Sequence, residues 1–67
     1  MDEFGGLIYE IECGEGNRCC VVSEGESLFV VYICISGKEE RRCDECSTLE
    51  RAKSICNLYR GFIKEYY

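Results

Sequence analysis

Eight apolar residues follow one another without a break from Leu28 to Ile35 (LFVVYICI), and four of them are β-branched. An apolar run this short, closed on either side by turn residues, reads as a strand buried on both faces. Gly25 stands before it and Gly37 after it. A strand with two buried faces needs neighbours along both edges and cover above and below, so the rest of the chain is read as material laid beside it or over it.

The flanking segments supply that material. Leu7, Tyr9, Ile11 and Cys13 alternate with Glu10 and Glu12, the period of a half-buried strand. Gly14-Glu15-Gly16-Asn17 is a turn cluster, and a second strand follows it. Glu24-Gly25-Glu26-Ser27 turns the chain again, with Gly25-Glu26 suited to the centre of a type II′ hairpin. After Ser36-Gly37-Lys38 comes a short, charged segment of the kind that protects a sheet edge from pairing with other chains. The strands are expected at 7–13, 18–23 and 28–36, with 39–44 as the fourth, edge member.

From Ser47 the period changes. Ser47-Thr48-Leu49-Glu50 fits a capping box, in which serine and glutamate side chains each satisfy a free backbone donor. Leu49, Ala52, Ile55, Cys56, Tyr59, Phe62, Ile63 and Tyr66 recur at three- and four-residue steps, opposite Glu50, Arg51, Lys53, Asn57, Arg60 and Lys64. This is an amphipathic helix at 47–66. Gly61 inside it predicts a bend or a close neighbour. The fold class is α+β: a three- to four-stranded antiparallel meander with one C-terminal helix packed on one sheet face, in one small domain spanning 1–67.

The hairpin registers decide which residues that helix covers. A two-residue loop at Gly25-Glu26 and a four-residue loop at Gly14–Asn17 put Tyr9, Ile11, Cys20, Val22, Phe29, Val31, Ile33 and Ile35 beneath the helix. The opposite face then carries Ile8, Glu10, Glu12, Cys19, Val21, Leu28, Val30, Tyr32 and Cys34. An uncovered apolar patch rimmed by charge marks a protein interface. Glu10, Glu12, Val21, Leu28, Val30 and Tyr32 are accordingly the expected partner-binding residues. A one-residue slip exchanges the two sets.

Charge narrows the choice of partner. Residues 1–36 hold seven acids against one base, Arg18, whereas 37–67 hold seven bases against six acids. So acidic an N-terminal half repels nucleic acid and suits a basic protein surface or effector complex, or a second copy of the chain. No run is long enough to cross a membrane.

Seven cysteines in 67 residues, an odd number, accompany an N-terminus without a basic stretch or apolar signal core. Several lie in apolar phase, where a free thiol acts as a small hydrophobe. The expectation is a cytoplasmic protein, in a host cytoplasm if the source is viral, with mostly free thiols. Histidine is absent, which removes the commonest general base and metal ligand.

Cys43-Asp44-Glu45-Cys46 is a C-x-x-C just before the helix. Half of a zinc site, a redox pair and two packed thiols are its competing readings. Zinc needs two further ligands, for which Cys13, Cys19 and Cys20 are the candidates. Their spacing is not that of a zinc knuckle, and the meander sets Cys19 about 10 Å from Cys43. Asp44 and Glu45 disfavour a thiolate. No cofactor is therefore expected, with zinc on Cys43 and Cys46 as the alternative. The adjacent Cys19 and Cys20 point to opposite faces and chelate poorly, and Cys34 and Cys56 read as core. Glu10 and Glu12 share a face but have no nucleophile or anion cradle beside them, so no catalytic signature emerges. Among the tyrosines Tyr9, Tyr32, Tyr59, Tyr66 and Tyr67, the last two are expected to be the least covered.

The meander followed by the segment Ser47 to Lys53 (STLERAK), taken with the small size, acidity and strand order, resembles small acidic proteins of phages and mobile elements, anti-CRISPR and related anti-defence proteins among them. The resemblance is one of architecture and carries no specific motif. It implies a non-enzymatic inhibitor that occludes a host effector's nucleic-acid groove or protein-assembly surface.

Overall fold

The computed structural model describes residues 6–36 and 38–66, with Glu39 and Tyr66 described by their backbones alone. The readings made on Met1–Gly5, Gly37, Tyr67 and the Tyr66 side chain lie outside the described residues. Four strands, β1 (Gly6–Gly14), β2 (Asn17–Gly25), β3 (Leu28–Ile35) and β4 (Glu39–Cys46), are followed by one helix, α1 (Leu49–Tyr66). The strands form one antiparallel sheet in the order β1-β2-β3-β4, so the apolar run takes an interior place. The helix packs across one face, giving the expected α+β architecture.

The helix begins two residues later than the sequence pattern suggests. Thr48 is the capping residue: its Oγ1 accepts from the backbone N–H of Arg51 at 3.3 Å. The strand before it runs on to Cys46, leaving Ser47 and Thr48 to turn the chain. Ala52, Cys56 and Ile63 are the fully inward residues of α1, at steps of four and seven that fall on one stripe. They close over Cys13, Cys19, Val21, Val31, Ile33 and Cys46, with Tyr9, Ile11, Phe29, Leu49, Ile55 and Tyr59 around the rim. The helix also grips edge strand β1: Asn57 Nδ2 donates to Tyr9 Oη at 3.2 Å, and Lys53 Nζ stands 5.2 Å from the Tyr9 ring centre. Phe62 was expected in the buried stripe but lies on its margin, 56% exposed. Gly61 is exposed with nothing near its Cβ position, so no close neighbour explains it.

The face assignment of β2 is the main correction. Tyr9 lies opposite Val21 and Ile11 opposite Cys19, where the four-residue loop put them opposite Val22 and Cys20, because Gly14 pairs with Asn17 and β1 carries an irregularity at Cys13; a second, at Ile8, pairs Leu7 with Val22. On the other side, Gly25 pairs with Leu28, so Glu26 and Ser27 make the turn and Glu24 is the extra residue. Gly25 is not among the residues with positive φ, and the expected type II′ turn does not form. Together these shifts rotate β2 by one residue. Cys19 and Val21 face the helix, while Cys20 and Val22 face away. Val21 is fully buried and leaves the list of surface candidates. Apart from Leu7, the faces expected for β1 and β3 hold: Tyr9, Ile11, Phe29, Val31 and Ile33 all pack with the core. Among the described residues no helix is long and apolar enough to cross a membrane.

Candidate functional site

The sheet face turned away from the helix is built from three cross-strand rows. Glu12, Arg18, Cys34 and Glu40 form the first; Glu10, Cys20, Tyr32 and Arg42 the second; Leu7, Val22, Val30 and Glu45 the third. The two-residue period of the strands creates these rows, since residues two apart on a strand share a face. The face therefore has a charged end and an apolar corner, where Leu7 is 55% exposed and neighbouring Ile8 is 43% exposed.

Tyr32 is the centre of a hydrogen-bonded group. Its hydroxyl donates to Glu24 Oε2 at 2.7 Å, and Arg42 reaches both Glu24 Oε1 at 3.4 Å and Glu45 Oε2. The extra residue at Glu24 makes this possible, because it swings that carboxylate to the side of Tyr32. The hydrogen bond to Glu24, followed by burial, raises the pKa of Tyr32 above its ordinary value. On the other side of the face Arg18 pairs with Glu10 at 3.0 Å. Five carboxylates (Glu10, Glu12, Glu24, Glu40 and Glu45) thus stand with two arginines on one surface, so its net character is acidic.

Of the expected partner-binding residues, Glu10 and Glu12 are exposed on this face, and Tyr32 and Leu28 are half-buried. Val30 is on this face but 0% exposed. It is a short side chain on an interior strand, between Val22 and Glu45. Val22 and Leu7 take the surface places assigned to Val21 and Val30. Sequence pattern held the signal for Leu7 in its alternation with Tyr9 and Ile11, but the extra residue Ile8 moves Leu7 to the other face. On the helix, Leu58 is 73% exposed and adjoins a groove lined by Asp44, Arg51, Ile55, Tyr59 and Phe62, a surface that the strand analysis did not point to.

The cysteines divide into three groups. Cys43 and Cys46 both belong to β4, where Cys43 is an extra residue between the Tyr32–Arg42 and Val31–Asp44 pairs, and both pack with the core. Cys46 is buried in the core and Cys43 is half-buried, its thiol donating to the carbonyl of Arg41 at 3.6 Å. Among the described residues no group of three or more Cys, Asp or Glu side chains is arranged to hold a metal ion. Burial raises the pKa of both thiols. Cys20 and Cys34 lie on the open face, where burial, then Glu40 and Glu10, push the Cys20 thiol up to about 11. Cys13, Cys19 and Cys56 form the third group, fully buried where β1, β2 and the helix meet. Cys13 Sγ donates to Cys19 Sγ at 2.7 Å, and Cys19 also meets Cys56.

No protein-family model matches the chain, and the comparisons with curated proteins and with solved structures found no match.

Proposed function

We propose that this chain is a small acidic protein-binding module that acts through the open face of its sheet and performs no chemistry of its own. The observation that carries this reading is the face itself. No element of the described chain covers it, and it presents Tyr32 among five carboxylates and two arginines, beside an apolar corner at Leu7 and Ile8. Tyrosine anchors and a polar, charged rim are what protein interfaces use. The excess of carboxylates fits a basic partner and would speed its approach at low salt. In its finer form, which the resemblance to small anti-defence proteins suggests, the partner is a host effector whose basic nucleic-acid groove or assembly surface is occluded.

The test is affinity capture from the native cell, with paired variants. Glu10→Lys with Glu12→Lys should slow capture and reduce its salt dependence, and Tyr32→Asp should abolish it, while far-UV circular dichroism stays unchanged. Leu58→Asp, on the helix, should bind as the unsubstituted chain does. Retained capture by folded Tyr32→Asp, with loss in Leu58→Asp, would move the interface to the helix and overturn the proposal. A complex that forms without any other protein and dissociates on dilution would identify the partner as a second copy.

A further inference from the structure

We propose that Cys13 and Cys19 are a disulfide-forming site, oxidised by a small-molecule disulfide of the glutathione class. The two sulfurs lie 2.7 Å apart. That is inside the ordinary non-bonded separation of heavy atoms, about 3.5–4.0 Å. It is within about 1 Å of the covalent S–S length. The irregularity at Cys13 is the structural cause. Alternation with Tyr9 and Ile11 already points Cys13 to the helix face, and the extra residue between the Glu12–Arg18 and Gly14–Asn17 pairs rotates β2 so that Cys19 faces the same side.

The register rejects the other candidate pairs. Cys20 and Cys34 are diagonal, since Cys20 opposes Tyr32 and Cys34 opposes Arg18. Cys13 is diagonal to Cys19 as well, since Cys19 opposes Ile11, but the irregularity at Cys13 accompanies a sulfur separation of 2.7 Å. The pairing between Cys20 and Cys34 is regular, and ordinary diagonal neighbours sit about 7–8 Å apart, beyond the roughly 3.5–4.5 Å between Cβ atoms that a disulfide spans. Cys43 and Cys46 are three steps apart on one strand. Cys56 remains the one competitor, because it touches Cys19 from the helix. Both thiols of the proposed site are fully buried, so oxidation proceeds through local opening. Cys13 sits at the end of edge strand β1, next to the Glu15-Gly16 turn, and an edge strand beside a turn opens more readily than the interior.

The reaction balances without further reagents. On opening, the Cys13 thiol loses its proton and its sulfur attacks one sulfur of oxidised glutathione, whose S–S bond breaks. A mixed disulfide forms and one glutathione leaves as thiolate. The Cys19 thiolate then displaces the second glutathione, forming the Cys13–Cys19 bond. The two thiol protons end on the two released glutathiones, so the protein is oxidised by two electrons and the glutathione disulfide is reduced by two.

Incubating the reduced, folded chain with oxidised glutathione tests this. Free thiols are then blocked and the chain digested with trypsin without reduction. Trypsin cuts after Arg18, between the two cysteines, so their bond appears as one residue 1–18 peptide joined to the peptide that follows. Fragmentation should assign the link to Cys19 and not to Cys20. Tm of the product should rise by about 5–15 °C, because the bond constrains the unfolded chain. Cys13→Ala should lose both the link and the rise. A first-formed bond through Cys56, Cys34 or Cys46, or seven thiols still blocked after prolonged oxidation, would overturn the proposal. The peptide map needs only the unsubstituted chain, so misfolding of a variant does not obscure the result.

Discussion

Asn17 and Ser36, 19 positions apart in sequence, join two turns at the same end of the sheet: the Asn17 Oδ1 accepts the backbone N–H of Ser36 at 2.8 Å. Asn17 is the buried polar residue of the described chain, and Ser36 holds a left-handed backbone with φ of 57°. Gly16, with φ of 75°, lets the first turn pass close to the Ser36 backbone. Asn17→Ala strips the Ser36 donor of its acceptor and should cost about 1–3 kcal/mol in urea unfolding. Asn17→Asp keeps an acceptor and should retain most of the stability. Ser36→Gly relieves the left-handed strain and should stabilise by roughly 0.5–1 kcal/mol. Neutral results for Asn17→Ala and Ser36→Gly would mean that the two turns do not hold each other.

The rotation of β2 has a sharp signature in adjacent residues. Val21 is in the core and Val22 is half-buried on the open face. Val21→Asp buries a charge and should abolish folding, judged by circular dichroism, whereas Val22→Asp should leave a folded chain. Val21→Ala should cost about 1–3 kcal/mol, and Val22→Ala less than about 1. The reverse pattern would restore the unrotated register.

Gly61 offers a stabilising change. It lies inside α1, exposed, and a Cβ there would meet nothing within 4 Å. Gly61→Ala should therefore gain about 0.5–1 kcal/mol from helix propensity and lower unfolded-state entropy. For a domain this small, that raises Tm by roughly 2–8 °C in a calorimetric scan. A fall in Tm would show that the position serves a contact.

Alkaline pH should unfold the reduced protein. A thiol ionises near 9.0 in the unfolded chain, whereas burial keeps Cys20 and Cys56 protonated up to about 11. Burial, and then the contact with Cys13, raise Cys19 as well. The stability these groups contribute is fully present below pH 9 and is lost as pH rises toward 11 and beyond, because the unfolded chain releases protons first. The loss is about 3 kcal/mol for each of Cys20 and Cys56. Tm under reducing conditions should fall steeply over this window. A flat profile to pH 11 would show that these thiols are not held protonated by the fold.

By itself the sequence determined the elements and their order. Apolar alternation placed β1, the unbroken run from Leu28 placed β3, and the three- and four-residue steps after Ser47 placed the helix, each within a residue or two of its observed bounds. These are local signals, written in the period of side chains along one segment. The face shown by β2 was not local. Cys19 to Val22 are apolar at every position, so β2 reads alike with either face inward, and only pairing across the strands reveals the extra residues at Ile8, Cys13 and Glu24. Those three residues moved Val21 into the core, brought Glu24 to Tyr32 and set Cys13 against Cys19. The C-x-x-C changed meaning for a related reason. Its spacing reads as an approach to the helix, but pairing with β3 runs through Arg42, Asp44, Glu45 and Cys46, with Cys43 as an extra residue, so both cysteines lie within β4 and pack with the core.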